Sequence, residues 1–392
     1  MAFETLAVEP PDPLLSVIGL FNADPRPDKV DLGVGVFRTE EGVTPVMRAV
    51  KAAETLLLQS QQTKAYVGQS GDLDYVELVR DMVFGPQASG RHVRGLQTTG
   101  GTGALRIGAD LLARAKVRTV HVGRPSWANH LPILSAARVP FTEHEHFDAF
   151  AQRVSFDAVA GALEAAQRGD VVLLQAACHN PTGADLDLEQ WRVVADIVGR
   201  RGLVPFIDVA YQGLGEGLEA DVAGARLVLA AATEALVATS CSKSFGLYRE
   251  RTGALFAVSD DAERAATMHS NLLAIARTAY SMPPDHGAAI VRTILQDDGL
   301  RRDWETELAA MRERINGLRA RLAAIGQVGG IDFSGLARQR GMFSVLPLSP
   351  QQIARMRDEF AVHMVASGRI NLAGLRSTQV EPFLDALRKV AG

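Results

Sequence analysis

Short apolar runs rich in Val, Ile and Leu recur along this chain and alternate with stretches of helical periodicity. Runs of this kind are typical of strands buried on both faces, as in parallel sheets covered by helices. One intervening helical pattern covers residues 188–200, where the apolar positions fall on one face. The chain is therefore predicted to be α/β, with a mostly parallel central sheet. The predicted strands are 119–122, 171–175, 203–207 and 236–239.

The C-terminal third has a different pattern. Five apolar residues at helical spacing predict one buried face of a long helix. They are Leu308, Met311, Ile315, Leu318 and Leu322. Residues 349–352 read Ser-Pro-Gln-Gln, which predicts an N-cap, a proline at the first helical position and a capping glutamine. A chain of 392 residues is long enough for two domains.

Composition and charge argue against several classes of protein. The net charge of −4 and the lack of a basic run give no reason to expect nucleic acid or an anionic membrane as a partner. The N-terminal residues lack the features of a signal peptide, and no stretch is apolar enough to span a bilayer. Cys178 and Cys241 lack CxxC spacing, so small buried hydrophobes are favoured over a chemical role. We expect a cytoplasmic protein without a metal site.

Residues 239–251 read Thr-Ser-Cys-Ser-Lys-Ser-Phe-Gly-Leu-Tyr-Arg-Glu-Arg, directly after a predicted strand. Ser240, Ser242 and Arg251 can converge on a phosphate, with Lys243 between them. A lysine in a partly apolar site beside other positive charge can have a lowered pKa and act as an amine nucleophile that forms a Schiff base. Most lysines are only solvated surface charges, so this interpretation depends on the neighbouring residues.

A glycine-rich segment offers a second wall for the same phosphate. Residues 100–103 read Gly-Gly-Thr-Gly and precede a helical pattern that begins near Ala104. Glycines let the backbone approach a ligand closely, and a helix N-terminus presents free N–H groups. A plain glycine turn is the alternative.

Polar and aromatic residues follow the predicted strands at the end where parallel sheets bind ligands. Asp208 ends one strand, where its carboxylate can keep a pyridinium nitrogen protonated, although a turn or N-cap role is the alternative. Asn180 follows the strand 171–175. Trp127 follows another strand by a short loop and can stack there on a planar ring, whereas most tryptophans belong to the core.

The lysine segment resembles that of the aspartate and aromatic-amino-acid aminotransferases, which use pyridoxal 5′-phosphate (PLP). The resemblance extends from residue 12 to residue 375, because similar segments recur in the family's order and at close to its spacing. They are residues 31–36, 64–68, 100–105, 125–130, 179–183, 207–213, 277–281 and 366–369. The chain thus resembles the class I PLP-dependent aminotransferases, whose fold is the PLP-dependent transferase fold type I.

The resemblance implies a division of the chain that composition alone does not reveal. A large PLP-binding domain is expected over residues 46–311, with a boundary inside the long helix. A smaller α/β domain is expected from residues 12–45 and 312–392, and an N-terminal arm from residues 1–11.

For the cofactor, the resemblance implies that Lys243 is the catalytic lysine and that Asp208 pairs with the pyridine nitrogen. His130 is expected to support that aspartate from behind, and Tyr66 to reach the cofactor phosphate of a partner subunit. The residues implied to bind PLP are Gly101, Thr102, Trp127, Asn180, Asp208, Tyr211, Ser240, Ser242, Lys243, Arg251 and Tyr66.

For the substrate, the resemblance implies that Arg369 holds the α-carboxylate, to which an arginine fork is well suited. Arg277 is expected to receive a side-chain carboxylate from across a subunit boundary, so a homodimer with shared sites is expected. The residues implied to bind substrate are Gly35, Trp127, Asn180, Arg277 and Arg369.

The implied activity is ping-pong transfer of the amino group between L-aspartate and 2-oxoglutarate. Ala65 and Met282 stand where aspartate enzymes often carry asparagine, so aromatic amino acids are expected as substrates too. An aminotransferase whose main substrates are aromatic amino acids is the alternative. Less favoured are a PLP-dependent decarboxylase or lyase and a PLP-sensing regulatory domain, which would carry an extra basic helix-turn-helix segment that we do not expect before residue 12.

Overall fold

The computed structural model of the chain describes residues 2–8, 13–85 and 90–391. Its helices are α1 (Pro13–Ala23), α2 (Arg48–Ser60), α3 (Leu73–Phe84), α4 (Gly100–Arg114), α5 (His130–Ala136), α6 (Phe156–Ala165), α7 (Leu188–Arg201), α8 (Ala220–Ala231), α9 (Ala262–Ala279), α10 (His286–Gln296), α11 (Asp298–Ile325), α12 (Pro350–Phe360) and α13 (Val380–Ala391). Its strands are β1 (Val30–Asp31), β2 (His92–Thr99), β3 (Val120–Arg124), β4 (Phe141–Glu145), β5 (Phe147–Asp148), β6 (Arg153–Val154), β7 (Val171–Gln175), β8 (Val204–Val209), β9 (Glu234–Ser240), β10 (Thr252–Ser259), β11 (Gln327–Val328), β12 (Ile331–Asp332), β13 (Phe343–Val345), β14 (Val362–His363) and β15 (Arg369–Asn371).

The central sheet has the strand order β2-β10-β9-β8-β7-β3-β4. All neighbouring pairs from β9 to β4 are parallel, and β10 runs antiparallel to both β9 and β2. The predicted α/β class with a mostly parallel sheet is therefore confirmed. The predicted strand 171–175 coincides with β7, and the other three predicted runs lie within or beside β3, β8 and β9.

Helices cover both faces of the sheet, and two core clusters result. Adjacent residues of β9 alternate between them: Val237 belongs to one cluster, and Leu236 and Ala238 belong to the other. This alternation follows from the period of two along a strand. Because both faces of the inner strands are buried, β7 and the middle of β9 are apolar, which is why continuous apolar runs predicted them. The edge strands β2 and β4 are more polar and partly exposed.

A third core cluster joins the two ends of the chain. Val30 and Leu32 pack in it with residues between Leu318 and Val390, and β1 pairs in parallel with β14 through Val30 and Val362. This packing supports the predicted small domain, but the division at residues 45 and 311 stays a prediction. Residues 1 and 9–12, which belong to the predicted arm and to the start of that domain, lie outside the described residues.

The two helical predictions for the C-terminal third are confirmed. The apolar stripe is buried along α11, which runs through the predicted boundary. At the start of α12, Gln352 donates its backbone N–H to Ser349 Oγ at 3.2 Å, and Ser349 donates its own N–H to Gln352 Oε1 at 2.8 Å. This reciprocal pair is a capping box, and Pro350 occupies the first helical turn.

Both cysteines are buried and reduced, in agreement with their interpretation as small hydrophobes. Burial raises the pKa of the Cys241 thiol to about 12, so this thiol stays protonated near neutral pH. In the part of the chain that the structure describes, no helix has the length and apolar character needed to cross a membrane.

Candidate active site

A pocket opens at the carboxyl ends of β7, β8 and β9, where parallel sheets bind their ligands. Its lining residues are Gly101, Thr102, Leu105, Trp127, Gln175, Asn180, Asp208, Ala210, Tyr211, Ser240, Ser242, Lys243 and Arg251. Ten of these were singled out in the sequence, so residues far apart in the chain meet in one place. Leu105, Gln175 and Ala210 were not predicted.

Lys243 lies in the connection between the antiparallel strands β9 and β10. Its Nζ lies over the ring of Tyr211, 5.0 Å from the centroid. Burial lowers the pKa of Lys243 to about 8, the nearby Asp208 carboxylate opposes this shift, and Arg251 and Arg369 reinforce it. A substantial fraction of this amine is therefore neutral near physiological pH, which a nucleophile or a base requires.

One corner of the pocket collects donors suited to a phosphate. Arg251 Nη1 lies 3.3 Å from Ser242 Oγ, and the backbone N–H of Ser242 donates to Ser240 Oγ at 3.3 Å. A side chain at Gly100, where φ is +71°, would place its Cβ 2.7 Å from Arg251 Nη2. The guanidinium could shift aside, but a residue with a side chain would be strained at this φ, so glycine suits this position.

The helix behind this corner begins earlier than predicted. The sequence pattern placed its start near Ala104, whereas α4 begins at Gly100, directly after β2 ends at Thr99. Three glycines obscured the start because glycine is a poor helix former. Gly101 and Thr102 thus lie in the first helical turn, whose N–H groups have no intrahelical acceptor and can face an anion.

Opposite the lysine, Asp208 is part of a buried chain of polar groups. Its Oδ2 lies 3.1 Å from Nε2 of His130, whose Nδ1 lies 2.7 Å from Ser126 Oγ. Trp127 packs edge-on against the His130 ring, with centroids 5.2 Å apart. Because an ionised carboxylate can only accept, His130 must donate from Nε2, which leaves the rest of the carboxylate available to a second donor.

Two further residues meet beside Asp208. Asn180 Nδ2 donates to the hydroxyl of Tyr211 at 3.1 Å, and the buried Oδ1 of Asn180 has no partner among the described residues. Burial raises the pKa of Tyr211, so its hydroxyl keeps its proton and can donate it. Gln175 fixes this corner, because its side chain accepts from the Asn180 N–H at 2.9 Å and donates to the Asn180 carbonyl at 3.0 Å. The rule that strand ends carry ligand-facing residues could have identified Gln175.

Arg369 lies at the start of β15, close to the pocket but outside its lining. Its Nη2 donates to the Gly33 carbonyl at 2.7 Å, and its guanidinium lies 4.5 Å from the ring centroid of Phe343. Phe343 in turn contacts the Tyr211 ring edge-on at 6.1 Å. A Cβ at Gly35 would lie 2.7 Å from the Phe343 ring, so the glycine allows this segment to lie directly against that ring. The buried Nε of Arg369 has no partner in the described chain.

The two residues assigned to a neighbouring subunit do not join the pocket within one chain. Tyr66 is 91% exposed. Arg277 lies in the last turn of α9, and its Nη1 donates to Ser281 Oγ. Neither lines the pocket, so their roles stay predictions that require a second copy of the chain.

These residues fit PLP. The hydroxyls, the Arg251 guanidinium and the first turn of α4 suit its phosphate, and the Asp208 carboxylate suits its ring nitrogen. The unpartnered Asn180 Oδ1 and the Tyr211 hydroxyl offer polar atoms beside its ring. Lys243 lies between these ends of the pocket.

Comparison with known proteins gives a consistent result. The sequence family "Aminotransferase class I and II" matches residues 27–387. The chain is 53% identical to the tyrosine aminotransferase of Rhizobium meliloti, covering 96% of this chain and 97% of that protein. It is 43% identical to the aspartate aminotransferase of Escherichia coli, over 98% of this chain and 99% of that protein. Its structure matches the aromatic-amino-acid aminotransferase of Burkholderia pseudomallei covalently bound to pyridoxal phosphate, with a TM-score of 0.95, 40% identity and complete coverage of both chains.

Proposed function

This chain belongs to the class I and II aminotransferases and is a PLP-dependent transaminase, and we propose that it uses L-aspartate, aromatic amino acids and 2-oxoglutarate as substrates. The observation that carries the proposal is the position of Lys243, between a phosphate-binding corner and the Asp208 carboxylate. A transaminase needs an amine at this point that can both hold the cofactor and move a proton.

The protein groups have separate tasks. When bound, PLP supplies a ring that draws electrons from the carbon carrying the amino group. Asp208, held by His130, stabilises a protonated nitrogen at the end of that ring. Lys243, with its lowered pKa, takes a proton at Nζ and returns it. Ser240, Ser242 and Arg251 anchor the phosphate, which fixes the reacting atoms relative to Nζ.

Substrate choice is assigned to two arginines. Arg369 binds the α-carboxylate common to all amino acids, and its unpartnered Nε supports this role. Arg277 binds the second carboxylate of aspartate or 2-oxoglutarate. In the single chain, Arg277 donates a hydrogen bond to Ser281 Oγ. We assign this bond to the state in which the arginine is turned aside because the substrate side chain is a ring. Relatives named as tyrosine and aspartate aminotransferases agree with this dual use, and an enzyme mainly for aromatic amino acids remains the alternative.

Spectroscopy on the purified protein tests this proposal. Bound PLP absorbs visible light, and that absorbance should fall when either aspartate or phenylalanine is added as an amino donor. A coupled assay with 2-oxoglutarate should then show turnover with both donors. A response to aspartate alone would contradict the aromatic part of the proposal, and protein that never takes up PLP would contradict the whole.

We further assign a homodimer with shared sites, located in the cytoplasm. Several apolar residues near the N-terminus and in or after α2 are exposed in the single chain, which supports burial against a second copy. They include Phe3, Leu6, Val8, Leu58 and Tyr66. The two reduced, buried cysteines agree with a cytoplasmic location.

Hybrid dimers test the shared site. Lys243→Ala and Arg277→Ala each inactivate both sites of a homodimer toward aspartate, but a hybrid dimer regains one intact site if Arg277 acts across the interface. The two variants are mixed in equal amounts, unfolded and refolded together, so that about half of the dimers formed are hybrids. Each hybrid has one intact site of two, so the mixture should regain about a quarter of the wild-type activity toward aspartate. Activity that stays at the level of the separate variants would contradict a shared site.

The pKa of Lys243 can be measured directly. Acetylation of the protein without PLP, followed by mass spectrometry of the peptide, should show half-maximal reactivity of Lys243 near pH 8, because only the neutral amine reacts. Asp208→Asn should move this midpoint lower, since Asp208 favours the charged lysine. A midpoint near that of a free lysine derivative, about pH 10.4, would contradict the role of burial.

A further inference from the structure

Trp304, a residue of α11 that lies outside the pocket, contacts the turn that carries Lys243. Trp304 is fully buried, and its indole N–H donates to the carbonyl of Ser244 at 2.8 Å. Its ring also stacks on Phe245, with centroids 4.4 Å apart and planes within 4°. Ser244 and Phe245 directly follow Lys243, so this single side chain holds both residues after the lysine.

Two backbone hydrogen bonds within the turn involve other atoms than the Ser244 carbonyl. Phe245 donates its N–H to the Cys241 carbonyl at 3.2 Å, and Gly246 donates to the carbonyl of Lys243 at 3.2 Å with a φ of +65°. The Ser244 carbonyl takes part in neither of these bonds and accepts instead from Trp304 on α11. A buried carbonyl without a donor costs free energy, so the turn would rearrange if the indole N–H were removed.

The same helix fixes other parts of the site through backbone carbonyls. Arg312 Nη1 donates to the Gly213 carbonyl at 3.1 Å, and Asn316 Nδ2 donates to the Gly215 carbonyl at 3.0 Å. These glycines follow Tyr211, the residue over which Nζ of Lys243 lies. The helix α11 therefore fixes the turn after Lys243 and the turn after Tyr211 relative to each other.

We propose that Trp304 is a positioning residue for Lys243: the indole N–H fixes the Ser244 carbonyl and thereby the direction of the lysine side chain toward the reacting atoms. This inference rests on the proposed function, in which Nζ of Lys243 moves the proton. Proton transfer depends steeply on the placement of the base, whereas substrate binding through Arg369 does not involve this turn. Loss of the indole N–H should therefore lower kcat much more than it raises KM.

The test compares Trp304→Phe with Trp191→Phe. Both tryptophans are buried in the same core cluster, but Trp191 lies on α7 and packs against Gly224. Both variants lose an indole of equal size, so both should lower the melting temperature. Only Trp304→Phe should lower kcat for aspartate, by roughly tenfold, with KM changed less than about threefold. The labelling midpoint of Lys243 should also rise in Trp304→Phe, because a looser turn exposes the amine to water.

Equal kinetics and equal labelling midpoints in the two variants would overturn the inference. If Trp304→Phe does not fold, site-specific replacement of Trp304 by 3-benzothienylalanine removes the N–H and keeps the shape, and the same loss of kcat is expected. Wild-type kcat with this analogue would equally overturn the inference. Failure of the proposed function itself would be seen separately, as a wild-type protein that binds PLP and transfers no amino group.

Discussion

Replacing Lys243 with alanine should lower kcat for amino transfer by a factor of about 10⁴ or more, because Lys243 is the one amine among the described residues that line the pocket. The phosphate-binding corner and Asp208 stay in place, so PLP should still bind. The measurement combines the rate of aspartate-dependent transfer with a PLP titration followed by absorbance.

Lys243→Arg is the matched control for this variant. It keeps a long cationic side chain, but a guanidinium cannot be deprotonated in proteins and is no base near neutral pH. It should therefore be about as inactive as Lys243→Ala. Substantial activity in either variant, with PLP bound, would contradict the assignment of Lys243 as the base.

Arg369→Ala should lower kcat/KM by roughly 10³-fold for both aspartate and phenylalanine, because both substrates lose the partner of their α-carboxylate. Arg277→Ala should lower it by roughly 10²-fold for aspartate and by less than about threefold for phenylalanine. Arg369 is buried beside Phe343 within its own chain, and a carboxylate paired there is shielded from water, so we expect its loss to be the larger one. The measurement is kcat/KM for both donors with each variant.

The contrast between the two arginines decides the substrate assignment. If Arg277→Ala reduced activity toward both donors equally, the proposed contact between Arg277 and the side-chain carboxylate of the substrate would be wrong. Arg277→Lys is a useful control, because it retains the charge and loses the fork that binds a carboxylate through two hydrogen bonds. It should fall between the wild type and Arg277→Ala for aspartate.

Much of the fold followed from local patterns in the sequence. The strand β7 and the capping box at Ser349 depend on neighbouring residues, and both were predicted within their observed bounds. The pocket residues Asn180 and Asp208 follow from one rule, that ligands bind at the carboxyl ends of parallel strands. The start of α4 was misplaced because three glycines lower the local helix propensity, while the end of β2 and the packing of the helix fix its first turn.

Other features depend on contacts between distant parts of the chain, which no local pattern encodes. Arg369 donates to the carbonyl of Gly33, a residue 336 positions earlier, and Trp304 donates to Ser244 across 60 positions. The sequence does not distinguish a buried helical tryptophan whose N–H bonds to a catalytic turn from one whose ring only fills the core. The contacts of Tyr66 and Arg277 are even harder to predict from the sequence, because their predicted partners belong to a second chain.

The pairing of β1 with β14 determines when the protein can finish folding during its synthesis. Val30 leaves the ribosome 332 residues before its partner Val362. At about 5–20 residues per second, the synthesis of this stretch takes roughly 17–66 s, and the core around Val30 and Leu32 cannot form before it ends. The central sheet uses residues 92–259 and can assemble during this interval, so the lysine pocket precedes the arginine that completes the site. A chain terminated before residue 362 would lack Arg369, the partner of Gly33. It would also leave Val30 and Leu32 exposed to chaperones and proteases.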